Sequence, residues 1–176
     1  MAYYTANHTV PDLNYEYHTI TVDTYGQASK NNFTVYLMTP LINVVQAKLV
    51  ATHIHTLDTN QHIYVSIEEL EGGRNLNERA SNLVTGQNSS FSNVTNAFAS
   101  MVSMSQPAAN HGNNPVDYHH IFQNEYPIVS QFFPALPTLS TLTVKLYGSR
   151  GQVLEPGTVD EENHLILSFI CRRNSA

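Results

Sequence analysis

Three consecutive runs of alternating apolar and polar residues between Asn32 and Leu70 constrain the fold of this chain more than any other feature. In each run the apolar residues recur at every second position, as they do when one face of a β-strand is buried and the other is exposed. The apolar positions are Phe33, Val35 and Leu37, then Val45, Ala47, Leu49 and Ala51, and then Ile63, Val65 and Ile67. This pattern predicts antiparallel strands of a β-sandwich or barrel.

The same reasoning predicts strands at about 17–23, 32–38, 44–56, 62–70, 139–147 and 164–171. Within the third of these the apolar face changes midway, from Ala47 and Leu49 to Thr52 and Ile54. Such a change predicts either a β-bulge or a strand that is buried on both faces. Thr39-Pro40 is predicted to end the preceding strand, because proline cannot donate a ladder hydrogen bond.

The length of 176 residues predicts one domain that spans the whole chain, since it is enough for one full core and short for two. Residues 1–16 are polar and tyrosine-rich and are predicted to form an N-terminal arm. Residues 72–114 are rich in Asn, Ser and Gly and are predicted to form one long loop insertion, with a short helix or irregular strand possible at 91–104. Loops of this length inside a domain are commonly functional or partly disordered.

Charged residues are unusually rare, at 12% against a typical share of roughly 25%. A surface of neutral polar groups loses little hydration when another protein covers it, which favours buried assembly surfaces. The net charge of −6 and the eight basic residues argue against sequence-specific nucleic-acid binding, which needs clustered cations. We expect neither a signal peptide nor a transmembrane segment, because no apolar run is long enough.

Cys171 is the single cysteine, so it has no partner for an intrachain disulfide. It falls in an apolar strand pattern, which predicts a buried and unreactive thiol. These features are typical of a protein that stays in a reducing compartment.

His53 and His55 are the candidate metal ligands of the sequence. Residues two apart in a strand share a face, so both imidazoles could bind one ion. His62, Glu68 or Asp58 could add a ligand, and an HxH pair followed by a carboxylate is the arrangement of cupin metal sites. The glycine-bearing flanks of those sites are absent here, so we expect no metal and no cofactor.

No other group of residues predicts catalysis. His119 and His120 are adjacent, so in a strand they would face opposite ways. Neither a nucleophile elbow nor a P-loop is present, and the acidic run at 160–162 is typical of a solvated loop. We therefore expect that the protein is not an enzyme.

The order of these segments resembles single jelly-roll capsid proteins, pentons or minor capsid proteins, of nucleocytoplasmic large DNA viruses. The resemblance covers about residues 17–70 and 116–171. Its clearest segments are Asn32 to Leu37, Pro40 to Ala47, Ile63 to Leu70, Leu139 to Gly151 and His164 to Ile170.

This resemblance implies an all-β fold: a single jelly-roll sandwich of about eight antiparallel strands. It also implies a virion structural protein, most specifically the penton subunit that closes the icosahedral vertices of a large double-stranded DNA virus. Such a subunit would be made in the host cytoplasm and would reside in the virion capsid. Its partners would be copies of itself in a pentamer, together with major and minor capsid proteins. The interface residues that we expect are Tyr3, Tyr4, Tyr15 and Tyr17.

Two other functions remain open on the sequence alone. A lectin-like or receptor-binding jelly roll would use residues 72–114 as recognition loops. A cupin-like metalloprotein would instead use His53 and His55.

Overall fold

The computed structural model describes residues 14–56, 62–73, 94, 96–102, 104–107, 118–149, 151–154 and 162–173. At 56, 102, 104–107 and 118–127 the description is confined to the backbone. These residues form seven strands and one short 3-10 helix (Glu68–Leu70). The strands are β1 (Tyr15–Asp23), β2 (Asn32–Thr56), β3 (His62–Ile67), β4 (Ala99–Val102), β5 (Met104–Pro107), β6 (Tyr118–Tyr147) and β7 (His164–Arg172).

All strand pairs are antiparallel, and the order across the sheet is β1-β7-β2-β6-β3-β4, with β5 paired to β6. The second half of β2 pairs with the first half of β6, between Gln46↔Gln131 and Thr56↔Tyr118. The first half of β2 pairs with the last part of β6, between Asn32↔Lys145 and Tyr36↔Thr141. The part of the β2–β6 pair that contains Gln46 to Thr56 continues into β7 and β1. The part that contains Asn32 to Tyr36 continues into β3 and β4.

The two halves face each other across the main hydrophobic core. Leu49, Leu167 and Phe169 come from the half that contains β7, whereas Val65 and Leu146 come from the half that contains β3. All of them belong to one buried cluster. The described residues therefore confirm the predicted all-β jelly-roll sandwich, with seven strands because β2 and β6 each contribute to both halves.

The corner between the halves corrects the prediction that Thr39-Pro40 ends a strand. The register jumps between Tyr36 and Leu41, and β2 continues through the proline as far as Thr56. On the partner strand Pro134 lies in the next register jump, between Leu136 and Gln131. Both prolines are tolerated because bulged residues have no ladder partner to lose.

The predicted change of face within 44–56 is confirmed, and its positions are refined. Register shifts lie between Val44 and Gln46 and between Leu49 and Ala51. As a result Val45 and Ala51, which were predicted to lie on the buried face, are only half-buried. The buried residues are Val44, Ala47, Leu49, Thr52, Ile54 and His55.

Other boundaries also differ from the predictions: the strand predicted at 139–147 is the last part of β6, which begins at Tyr118. β1 begins at Tyr15, so the last two residues of the predicted 1–16 arm belong to the sheet. β3 ends at Ile67 and gives way to the 3-10 helix. The predicted 72–114 insertion lies mostly outside the described residues, but it includes the strands β4 and β5.

Candidate functional site

One lateral flank of the sandwich carries two strand edges side by side. Among the described strands β1 pairs with β7 alone, and residues 32–36 of β2 pair with β6 alone. A groove of about 610 Å³ runs between them, lined by Tyr17 to Asp23 on one side and by Val35 to Thr39 and Leu41 on the other. Exposed strand edges offer unpaired backbone groups to another chain.

Large apolar side chains project from this flank into solvent. Tyr36 is 80% exposed, Tyr17 is 62% exposed, and Met38 is fully exposed. Ile42 at the adjoining corner is also more than half exposed. Clustered exposed apolar groups are typical of surfaces that another molecule covers.

A second depression of about 610 Å³ continues from the first around Tyr17, which lines both. Phe133, which is 80% exposed, also lines it, and the other apolar lining residues are Tyr15, Val45, Phe132 and Ile170. We call Tyr15, Tyr17, Tyr36, Met38 and Phe133 together the flank surface.

Glu16, at the end of the flank, has partners within the chain. Glu16 accepts a hydrogen bond from Arg173 Nε at 3.0 Å, and its other oxygen lies 3.6 Å from His18 Nε2. Covering this end of the flank would therefore bury Glu16 and Arg173 as a pair rather than as isolated charges.

The interface tyrosines expected from the sequence divide into two pairs. Tyr15 and Tyr17 lie at the start of β1 and belong to the flank surface. Tyr3 and Tyr4 lie outside the described residues. That all four contact a neighbouring subunit stays a prediction.

His53 and His55 lie near the far end of β2, on the face of the strand that points away from the core. Their neighbours Thr52 and Ile54 are buried, and Thr52 Oγ1 reaches Met101 Sδ of the opposite half at 3.7 Å. On the outer face His53 is half-buried and His55 is buried. The two imidazole rings meet edge to face, with centroids 4.5 Å apart. The prediction that the two histidines share a face therefore holds.

The additional ligands considered for this pair have other partners or are not described. The His62 ring hydrogen-bonds Ser100 Oγ and stacks on Tyr64. Glu68 forms an ion pair with Lys145, and the carboxylate raises the pKa of that lysine. Asp58 lies outside the described residues. Among the side chains that the structure describes, no three His, Cys, Asp or Glu residues form a group that could hold a metal ion.

Sequence reasoning missed the strand partners of the histidine pair. His164 of β7 lies directly opposite His53, and His119 of β6 lies directly opposite His55. These residues are more than sixty positions away from the pair in the sequence. No local pattern could have indicated the pairing, because it depends on the register of β2 against two other strands.

Cys171 is buried at the end of β7, as predicted. Burial raises the pKa of its thiol, and the Glu16 carboxylate raises it further. Both effects keep the thiol in its less reactive neutral form. Of the acidic run at 160–162 the structure describes Glu162 alone, which is half-buried.

The chain has no match among protein-family models and none among curated proteins. In the part of the chain that the structure describes, no helix has the length and apolar character needed to cross a membrane.

Proposed function

We propose that this chain is a structural subunit of a virion capsid, most specifically the penton of a large double-stranded DNA virus. The observation that supports this most is the flank surface: exposed aromatic and aliphatic side chains beside two open strand edges of a jelly roll. The low share of charged residues, 12%, is consistent with extensive burial in an assembly.

A five-membered ring needs two different contact surfaces on each subunit, since its interfaces are heterologous. The flank surface supplies one, and the opposite side of the sandwich in a neighbouring copy supplies the other. A stable contact of this type buries about 800 Å² on each partner. Tyr36, Met38 and Phe133 are the side chains that would lose the most solvent exposure.

The oligomeric state of the purified full chain tests this proposal. We expect native mass spectrometry to give a pentamer and electron microscopy of the same sample to show five-fold rings. Met38→Asp and Tyr36→Asp should each shift the population toward monomer, because a buried carboxylate at the contact is costly. Val153→Asp is the matched control, since Val153 is 46% exposed and lies outside the flank surface.

Deletion of residues 2–13 tests the contribution of the arm separately. This deletion leaves β1 intact, because Tyr15 is the first residue paired with β7. We expect weaker assembly with an unchanged melting temperature of the monomer. A wild-type chain that stays monomeric at high concentration, or a pentamer unaffected by both flank variants, would contradict the proposal. A monomer that binds glycans would favour the lectin-like alternative.

A further inference from the structure

The edge of β1 that faces away from β7 lacks the features that commonly keep an edge strand from pairing with another chain. Lysine, proline and β-bulges are such features. The strand contains neither residue, and its nine residues pair with β7 without a register shift. Its two carboxylates, Glu16 and Asp23, lie near its ends, so its middle part is neutral. A straight edge of this length favours the addition of another strand.

The core is incompletely covered beside this edge. Ile20 on β1 and Val35 and Leu37 on β2 pack against the buried cluster but are themselves only half-buried. All three line the groove between the two strand edges. A partner that lies along β1 would remove this apolar surface from water, and burial of apolar surface is the main favourable contribution to association.

The strand is complementary to a second copy of itself in antiparallel pairing. With Thr19 opposite Thr19 of the second copy, all nine residues of β1 have a partner, and Tyr17 lies opposite Thr21. Pairs of threonines, and pairs of an aromatic with a β-branched residue, are among the cross-strand pairs that stabilise a sheet. Tyr17, Thr19 and Thr21 are exposed and share one face of the strand. A contact that uses the same surface of both copies is the kind that a two-fold axis produces.

The charges at the two ends of the strand are complementary in the same arrangement. Tyr15 pairs with Arg172 of β7, and Asp23 lies at the other end of β1. Antiparallel pairing places Asp23 of the second copy opposite Tyr15, in one row of the sheet with Arg172. Neighbouring strands lie about 4.8 Å apart, so the long arginine side chain can reach a carboxylate two strands away. Glu16 lies opposite Val22, so like charges do not face each other within these nine pairs.

We propose that two copies of this chain form a dimer by pairing their β1 edges antiparallel about a two-fold axis at Thr19. The dimer joins the β1-β7-β2-β6 layers of two sandwiches into one continuous sheet. It goes beyond the ring contact and excludes it, because Tyr17 belongs to the flank surface that both contacts use. Since two copies form this dimer and five form a ring, dilution favours the dimer over the ring by mass action. The dimer thus covers the flank of a subunit that is outside the ring.

Native mass spectrometry of the full chain over a dilution series tests this contact. We expect a dimer at concentrations at which no pentamer remains. Thr19→Lys and Thr19→Glu should each raise the dissociation constant of the dimer at least about tenfold, because like charges then face each other across the axis. An equimolar mixture of the two variants should form a heterodimer, because opposite charges then face each other. The same two substitutions at Thr138, which is exposed on β6, are the matched control and should leave the dimer unchanged.

Circular dichroism shows whether each variant folds. Should the Thr19 variants not fold, hydrogen exchange of the wild-type chain replaces them, and the amides of β1 should exchange more slowly in the dimer than in the diluted monomer. Absence of a dimer at every concentration would overturn the proposal. A dimer that persists in the Thr19→Lys chain, or a mixture that fails to pair, would overturn it as well. A pentamer without a dimer would count against this contact alone, whereas a dimer without a pentamer would count against the capsid proposal alone.

Discussion

The amide of Asn163 donates a hydrogen bond to the side-chain oxygen of Asn31 at 2.8 Å, and both residues are almost completely buried. The same Asn163 amide donates to Lys30 O at 2.9 Å, and its oxygen accepts from the backbone N–H of His55 at 2.8 Å. Asn31 in turn donates to Leu154 O at 2.7 Å. These two amides tie the loop before β2 to the end of that strand and to the segment before β7.

Replacing Asn163 with Ala should lower the free energy of unfolding by about 3 kcal/mol, because several buried groups lose their partner. A double-mutant cycle with Asn31→Ala should give a coupling of about 1 kcal/mol or more. Asn32→Ala is the control and should change stability by less than about 0.5 kcal/mol, since Asn32 is exposed. Urea denaturation measures all four variants, and strictly additive effects would contradict the direct contact.

Glu69 completes the hydrogen bonding of β6 where β3 ends. β3 stops at Ile67, opposite Val144, and the Glu69 carboxylate accepts hydrogen bonds from the backbone N–H and hydroxyl of Thr143. It also accepts from the hydroxyl of Thr141 at 3.1 Å. The carboxylate therefore takes the place of the next residue of the ladder.

Glu69→Ala should destabilise the protein by about 1–2 kcal/mol, because a half-buried strand edge loses a charged acceptor. The neighbouring Glu68→Ala removes an exposed ion pair with Lys145 and should cost less than about 1 kcal/mol. Thermal or urea unfolding of the two variants compares them directly. An equal or larger loss in the Glu68 variant would contradict the role given to Glu69.

Gly72 and Gly73 are adjacent but differ in the space around them. A Cβ at Gly73 would lie 3.0 Å from Ser130 Cβ and 3.1 Å from Phe132 Cε1, whereas a Cβ at Gly72 would meet nothing within 4 Å. Gly73→Ala should therefore destabilise by about 1–3 kcal/mol through overpacking. Gly72→Ala should be neutral or slightly stabilising. The urea midpoints of the two variants test this, and similar values would show that Ser130 and Phe132 move aside at little cost.

Burial lowers the pKa of His62 below its ordinary value of 6.5. The unfolded chain then binds a proton at this site more readily than the folded chain does. The titration of His62 therefore leaves the free energy of unfolding unchanged above about pH 7 and lowers it as the pH drops below about 6.5. His62→Gln should lose less stability between pH 7.5 and pH 5.5 than the wild type, as measured by urea midpoints at both values. An identical loss in the two proteins would contradict this assignment.

Regular alternation allowed the core strands to be predicted from the sequence. Leu142, Val144 and Leu146 are all buried, and every second residue from Leu165 to Cys171 is buried as well. These strands obey the period of two because one face of each meets the core and the other does not. The antiparallel class of the fold followed from the same pattern.

The corner and the strand partners of His53 and His55 could not be predicted in the same way. A proline such as Pro40 predicts a strand end unless the partner strand has an irregularity at the same corner, as β6 does near Pro134. Likewise, the nearness of His164 to His53 is a property of register between distant segments. Local propensity contains no information on either point, since both depend on which strands become neighbours.

β1 and β7 are paired along their whole length, and Arg173 N donates to Asn14 O at 2.9 Å just beyond them. The described chain therefore enters and leaves the sandwich at one corner, so its path is nearly a closed loop. A circular permutant that joins residue 173 to residue 14 through a short linker, and opens the chain at the turn around Gly26, would keep every strand pairing. The strand order along the chain is thus one of several that would encode the same sheet.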